Sequence, residues 1–248
     1  MRIAVAGGTG TLGRHVVNAL TDRGHDPVIL TRSSGVDLVS GDGLAEVLKG
    51  VSAVVDVTSV GTSAGAVSLR FFRAVTTNLL AAEVAAGVPH HLAVSIVGAA
   101  EIDAAYYSGK REQEELVMAA TGRWTIVRAT QFHEFVHLLI AAGAVGPFQI
   151  VPRIVSQPIA AREVGLAVAK LATEPPAGLT ADLAGPKVER MADLVRRYLR
   201  ATGSRRPVFE VPIPGAWGRS LRDGSLLPKG DVPLGKQTFD EWLAELPA

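Results

Sequence analysis

The sequence contains no cysteine. That excludes disulfides, thiolate-held zinc, iron–sulfur clusters and cysteine nucleophiles together. Aromatic residues make up only 5% of the chain and the formal net charge is +1. The strong basic excess and stacking rings of a dedicated nucleic-acid binder are therefore missing. Long hydrophobic runs are missing too. The longest apolar runs, such as Leu79 to Ala86, which is flanked by Asn78 and broken by Glu83, fall far short of the roughly 20 apolar residues of a membrane span. The chain passes from Met1-Arg2 straight into Ile3-Ala4-Val5-Ala6 and then glycines, so no signal peptide is expected. The expectation is a cytoplasmic chain, monomeric or homodimeric, that meets a small molecule rather than nucleic acid or membrane.

What is present suits a packed core. The 248 residues, 48% of them hydrophobic, suffice for one or two domains. Short β-branched runs at Arg2–Ala6, Pro27–Thr31, Ala53–Thr58, Leu92–Val97 and Trp124–Arg128 read as buried strands, with Val36–Val39 as a short further one. Their near-continuous apolar character fits a parallel sheet covered on both faces. Helical patterns lie between them: Leu12, Val16 and Leu20 share one face, as do Phe72, Val75, Leu79 and Ala82. This alternation predicts a doubly wound α/β sheet. After Pro147 proline and glycine become frequent. Two helices remain clear, Arg162–Ala172 and the one carrying Met191, Leu194, Val195, Tyr198 and Leu199. The expected division is 1–147 for a nucleotide-binding region and 148–248 for a smaller α/β region facing substrate. The basic segment Lys187–Arg206 reads as a solvated helix face, since no aromatics interleave it.

Gly7-Gly8-Thr9-Gly10-Thr11-Leu12-Gly13 follows the first strand and opens the first helix. Glycines in this context serve a tight turn, close approach of backbone to a pyrophosphate, and close packing of helix on strand. The helix N-terminus adds free N–H groups for the phosphates. At the end of the second strand, where a carboxylate would hold the ribose of NAD, the sequence reads Leu30-Thr31-Arg32-Ser33-Ser34. Arg32 is a planar donor fork suited to a 2′-phosphate and Ser33 adds a hydroxyl, which favours NADP(H). Asp42 is placed either beside the adenine or as the cap of a helix at Leu44–Leu48.

Tyr106 and Lys110 stand four residues apart, a spacing that puts both on one helix face. An ammonium beside a phenol lowers its pKa, and such a pair can protonate a carbonyl oxygen while a nicotinamide supplies hydride. Ser95, at the end of a strand, is positioned to bond the same oxygen. Gly109 weakens that helix by about 1 kcal/mol relative to alanine.

In order along the chain, Gly7–Gly13, Arg32, Val94-Ser95-Ile96-Val97-Gly98, Tyr106-x-x-x-Lys110 and Trp124–Phe132 resemble the atypical short-chain dehydrogenase/reductase superfamily, specifically its NmrA-like NAD(P)H-binding branch. Gln157-Pro158-Ile159-Ala160 and Leu183-Ala184-Gly185-Pro186 extend the likeness. The resemblance implies a Rossmann sheet and NADP(H). It assigns Gly7, Thr9, Gly10, Thr11, Leu12 and Gly13 to the pyrophosphate turn, Arg32 and Ser33 to the 2′-phosphate, and Thr58 and Lys110 to the nicotinamide end. Ser95, Tyr106 and Lys110 match its catalytic set. Ser59, Tyr107, Gln131, Phe132 and His133 fall where a substrate pocket is expected. An NADPH-dependent reductase of a small carbonyl, quinone or imine follows, with a non-catalytic NADP(H)-binding redox sensor as the alternative.

Two motifs point elsewhere. His133-Glu134-Phe135-Val136-His137 is a literal H-E-x-x-H, which on a helix would bind zinc. Ile140 and Gly143 stand where an extended zinc motif needs glycine and histidine, so no metal is expected. Gly61-Thr62-Ser63-Ala64-Gly65 is a literal G-x-S-x-G, for which the order Ser63, Asp103, His133 can be written. No glycine run other than the one assigned to phosphates precedes it to form an oxyanion hole.

Overall fold

The computed structural model describes residues 1–246. The chain folds as two compact units that it threads alternately: unit 1 is Met1–Arg128 with Arg162–Ala181, and unit 2 is Ala129–Ala161 with Asp182–Ala248. The sequence suggests one boundary, at residue 147. The chain instead leaves unit 1 at residue 128, returns at 162 and leaves again at 181.

Unit 1 begins with strand β1 (Arg2–Ala6), helix α1 (Thr11–Asp22), β2 (Asp26–Leu30), a short α2 (Leu44–Val47), β3 (Ala53–Asp56), the long α3 (Gly65–Ala86), β4 (His91–Ile96), α4 (Tyr106–Ala119) and β5 (Trp124–Ala129). The chain then forms α5 (Phe135–Gly143), β6 (Ala144–Val145), β7 (Phe148–Pro152) and β8 (Val155–Ser156) in unit 2. It comes back for α6 (Ala161–Leu171) and β9 (Gly178–Leu179). It ends in unit 2 with β10 (Glu189–Arg190), α7 (Met191–Ala201), β11 (Val208–Val211), α8 (Gly215–Ser220) and α9 (Phe239–Ala244).

The six-stranded sheet of unit 1 runs β2-β1-β3-β4-β5-β9 and is parallel, flanked by helices. Ala4 and Ala6 of β1 and Val54 of β3 face a cluster with Leu44 of α2, Leu48 directly after it, and Val75 and Leu79 of α3. Successive strand side chains point to opposite faces, and Ile3, Val5 and Val55 are also fully buried. Both faces are thus covered, which is why these strands lack polar alternation. The small alanines let α2 and α3 sit close on their side. The predicted apolar stripes hold: Leu12, Val16 and Leu20 are buried on α1, and Phe72, Val75 and Leu79 on α3.

The expected strand at Val36–Val39 is absent. Asp37 Oδ1 accepts the backbone N–H groups of Val39 (2.8 Å) and Ser40 (3.2 Å). Gly35, Gly41 and Gly43 all adopt positive φ. A carboxylate that turns its own backbone competes with a ladder, so the segment coils and β2 forms the sheet edge. Asp42 caps no helix, because Gly43 occupies the N-cap of α2 and the Asp42 carboxylate accepts the Ser40 hydroxyl at 2.6 Å.

In unit 2, β7 lies between β11 (parallel) and β6 (antiparallel), while β8 and β10 form an antiparallel pair. Helix α7 buries Met191, Leu194, Val195 and Leu199, as its spacing predicts. Thr238 and Glu241 cap α9 reciprocally. Among the described residues no helix is long and apolar enough to cross a membrane.

Candidate functional site

The chain moves from β1 outward to β2 on one side and then to β3 on the other. A doubly wound sheet opens a crevice at such a reversal, beyond the carboxyl ends of its strands. The loops after β1 and β3 meet there. Gly7 has φ +80°, and a Cβ on it would come within 2.8 Å of the Val57 carbonyl oxygen. The Gly10 N–H bonds the Gly7 carbonyl at 2.9 Å to close the turn. A Cβ on Gly13 would lie 2.1 Å from the Gly7 oxygen and 2.6 Å from Gly8 Cα. The turn is therefore compressed onto the first turn of α1. Thr9, Gly10 and Thr11 are exposed there, while Leu12 and Gly13 are buried beneath. Gly10 is the N-cap and supplies no side-chain bond, so the leading N–H groups of α1 are presented for an anion.

At the end of β2, the Thr31, Ser33 and Ser34 hydroxyls hydrogen-bond one another. The Arg32 side chain is 84% exposed, its Nε 3.3 Å from Asp37 Oδ2. Asp37 thus pairs with the arginine that the sequence reading leaves unopposed. The N–H groups of Val39 and Ser40, and then Arg32, hold the Asp37 carboxyl below its ordinary pKa. Asp42 lies in the same exposed turn.

At the ends of β3 and β4 a buried polar network appears that sequence reasoning reached only in part. Asp56 is fully buried. One of its oxygens accepts the Thr58 N–H (2.9 Å) and the other accepts Gln113 Nε2 (2.7 Å). Gln113 Oε1 in turn accepts from Lys110 Nζ at 2.9 Å. Lys110 also donates to the carbonyls of Val94 (2.8 Å) and Thr58 (3.4 Å), and its ammonium lies 4.4 Å from the centre of the Phe72 ring. Burial drives the Lys110 pKa down to about 8 against the pull of Asp56 and Glu114. Glu114 itself forms a forked pair with Arg128. The signal for Asp56 was legible: an acid closing an otherwise apolar strand, Ala53-Val54-Val55-Asp56.

Tyr106 opens α4. Its hydroxyl bonds Ser59 Oγ at 3.1 Å, its carbonyl accepts the Ser68 hydroxyl at 2.9 Å, and its ring packs edge-on against Phe72 at 5.5 Å. The expected depression of its pKa by Lys110 is not found. Burial pushes the phenol up to about 12, opposed by the Ser59 bond and reinforced by Asp56. The spacing does put the two residues on one helix, but the lysine stem runs inward to the strand carbonyls. Ser95 is 1% exposed, and the Oγ of Ser95 and the Oγ1 of Thr58 are buried without hydrogen-bond partners. Tyr107 is buried.

Gly109 also departs from expectation. A Cβ there would lie 2.2 Å from Ser68 Oγ, 2.6 Å from Phe72 Cδ2 and 2.7 Å from the Ser68 carbonyl carbon. The glycine lets α4 press onto α3 and brings Phe72 against both Tyr106 and Lys110. Intrinsic propensity favours Gly109→Ala by about 1 kcal/mol. The overlap predicts the opposite, a loss of about 1–3 kcal/mol, to be read from thermal or urea unfolding. Immediately before Tyr106, Ala105 has φ +53° and ψ −133°, a region costly for a side chain.

In unit 2, Gln131 accepts the Ser156 hydroxyl and Phe132 bridges to Ile159. His133 is 1% exposed, with Nε2 on the Gln237 carbonyl at 3.1 Å and its ring against Phe239 and Trp242. It packs within unit 2 and lines a small cavity there together with Pro158, Lys187, Glu189 and Phe239. It also precedes α5, so His133 and His137 do not share a helical face. His137 packs edge-on against Tyr198 and at a tilt against Trp242. Among the described residues no cluster of three or more His, Cys, Asp or Glu is placed to hold a metal. Ser63 lies in an exposed loop, and Asp103 pairs with Arg111 at 3.9 Å.

A family model of NAD(P)H-binding proteins matches residues 7–135. The photosystem II assembly factor Ycf39 of Synechocystis is 32% identical over 115 residues, covering 41% of this chain and 35% of that protein. The match thus spans about a third of the relative's length. Among solved structures, a short-chain dehydrogenase/reductase superfamily protein of Agrobacterium tumefaciens with bound NAD superposes with a TM-score of 0.68 at 20% identity, covering 99% of this chain and 95% of that one. The UDP-N-acetylglucosamine 4-epimerase of Bacillus cereus gives 0.70 at 18% identity, covering 100% and 98%. At such identities the likeness is one of fold.

Proposed function

The chain belongs to the NAD(P)H-binding family, and from that premise we propose that it is an NADPH-dependent reductase of a small carbonyl, quinone or imine, with Tyr106 as proton donor. The observation that carries this reading is the state of Tyr106. Its hydroxyl is tethered beyond the end of β3, and its pKa is pushed up to about 12. The phenol therefore stays protonated at neutral pH, the form that donates in a reduction.

The residues fit a dinucleotide. Gly7 and Gly13 leave no room for a Cβ, so backbone alone faces the phosphates. The buried, unpartnered hydroxyls of Thr58 and Ser95 support assigning the nicotinamide end to this part of the crevice. When bound, the reduced cofactor supplies the hydride. Ser95 then orients the acceptor oxygen and Tyr106 protonates it. Arg32 and Ser33 hold the 2′-phosphate, with Arg32 exchanging Asp37 for the phosphate.

A second reading, a non-catalytic sensor of NADP(H) redox state, is favoured by Lys110, whose donors are taken by Val94, Thr58 and Gln113 rather than Tyr106. NADPH consumption with an acceptor panel separates the two. The reductase turns over. The sensor binds oxidised and reduced cofactor with different affinities and consumes neither. In either case Arg32→Ala is expected to weaken NADPH binding roughly tenfold, the scale of one charge-assisted contact, and to leave NADH unchanged. Equal loss for both cofactors would remove the 2′-phosphate assignment.

A further inference from the structure

We infer that Ser59, placed by the sequence among substrate-pocket residues, instead positions the Tyr106 hydroxyl and relays protons to it from water; the inference rests on Tyr106 being the proton donor. Three observations converge on it. The Ser59 hydroxyl touches the phenol oxygen at 3.1 Å. Ser59 is exposed whereas Tyr106 is half-buried, so the serine links the phenol to solvent. And the route through lysine is closed, because the Lys110 N–H groups end on Val94 O, Thr58 O and Gln113 Oε1.

The buried network serves this arrangement. Thr58, next in sequence to Ser59, is held at both ends of its peptide: its N–H by Asp56 and its carbonyl by Lys110. The lysine therefore acts on the loop that carries Ser59. On the other side, Ser68 and Phe72 of α3 fix the backbone and ring of Tyr106. Both oxygens of the Ser59–Tyr106 pair are set by separate elements of the same unit.

The protons balance as follows. In the reduction the carbonyl π bond breaks, the carbon gains a hydride from the reduced dinucleotide, and the oxygen takes the Tyr106 proton. The resulting phenolate takes the Ser59 proton as Ser59 takes one from water, and the hydroxide left is neutralised by buffer. Burial makes that phenolate strongly basic, so a hydroxyl in contact shortens its life.

The test uses cofactor-free full-length protein with isotope-labelled tyrosine, observing the hydroxyl-bearing ring carbon by NMR, with Tyr106 assigned through Tyr106→Phe. Ser59→Ala is expected to shift the Tyr106 signal and leave Tyr107 and Tyr198 in place, and Ser59→Thr to restore it. With NADPH and diacetyl as probes, Ser59→Ala should lower kcat roughly tenfold, part of the usual contribution of a positioned proton donor. It should leave KM for NADPH unchanged, and Ser59→Thr should rescue. An unmoved Tyr106 signal and full turnover in Ser59→Ala, with Tyr106→Phe inactive, overturn the relay alone. Full turnover in Tyr106→Phe removes the donor and the relay together, whatever the NMR signal.

Discussion

Tyr106→Phe is expected to lower kcat for NADPH-dependent reduction about 10²–10⁴-fold, the usual contribution of a positioned proton donor, while dinucleotide affinity is retained. The substitution removes one oxygen whose bond is to Ser59 and keeps the ring that packs on Phe72. A fall in affinity or in melting temperature would mean that the Tyr106 hydroxyl serves structure or cofactor binding through its bond to Ser59. The pH dependence gives a second arm with a definite sign. An acid must be protonated to act. Burial, reinforced by Asp56 and opposed by Ser59, holds the Tyr106 pKa up to about 12. The donor is then present at every pH below that value and is lost as pH rises through it. Loss of the Tyr106 proton should therefore cause no fall in kcat near neutrality, and a fall near pH 8 is assigned to Lys110, whose pKa burial brings down to about 8. A phenol lowered by an adjacent ammonium would instead lose its proton nearer pH 7, and a Tyr106 ring-carbon NMR signal that titrates there would contradict the structure.

Gly13→Ala should damage both stability and cofactor binding, although alanine is the better helix former by about 1 kcal/mol. The added methyl would overlap the Gly7 carbonyl oxygen at 2.1 Å and Gly8 Cα at 2.6 Å. Both are backbone atoms, so no rotamer change relieves the contact. Relief requires opening the turn closed by the Gly10 N–H on the Gly7 carbonyl. Overpacking of this kind costs about 1–3 kcal/mol, or roughly 2–4 °C in Tm per kcal/mol for a chain of this size. The opened turn also moves N–H groups away from the phosphates. Losing one charge-assisted bond, worth about 1.5–3 kcal/mol, lowers affinity roughly 10–100-fold. A melt and a fluorescence titration with NADPH measure both. A variant that melts higher and binds NADPH undiminished would show that the turn has slack.

The strands of unit 1 were readable because burial on both sheet faces leaves an unbroken apolar signature, as in Ala53-Val54-Val55. The glycine turn was readable because its constraint is steric and local. Val36–Val39 misled because β-branched residues signal burial, and Val36 is buried, in the cluster beneath α2 and α3. What overrides the strand is one carboxylate two residues from Val39. The Tyr106–Lys110 spacing correctly gave a shared helix but not where a long flexible side chain ends. Lys110 turns to Gln113, Thr58 and Val94, and the last two come from other elements. The Ser59–Tyr106 bond spans 47 positions, and no local pattern encodes it. Gly109 read as a weakness because propensity is a property of one helix, whereas its reason lies on α3.

The threading of the chain between its two units has a consequence for biosynthesis. A ribosome releases unit 1 as far as residue 128, then 33 residues of unit 2, and only afterwards α6 and β9. At ordinary elongation rates this leaves roughly 3–10 s in which a nascent sheet ends at β5. Its open edge includes Thr125 and Ile126, the later partners of Gly178 and Leu179. Over the same interval α1 lacks the close contact that Gly165 makes with His15. An apolar strand edge waiting for its neighbour is a site for misassociation, so yield during expression should depend on elongation speed and chaperone supply more than the equilibrium stability of the finished protein would suggest.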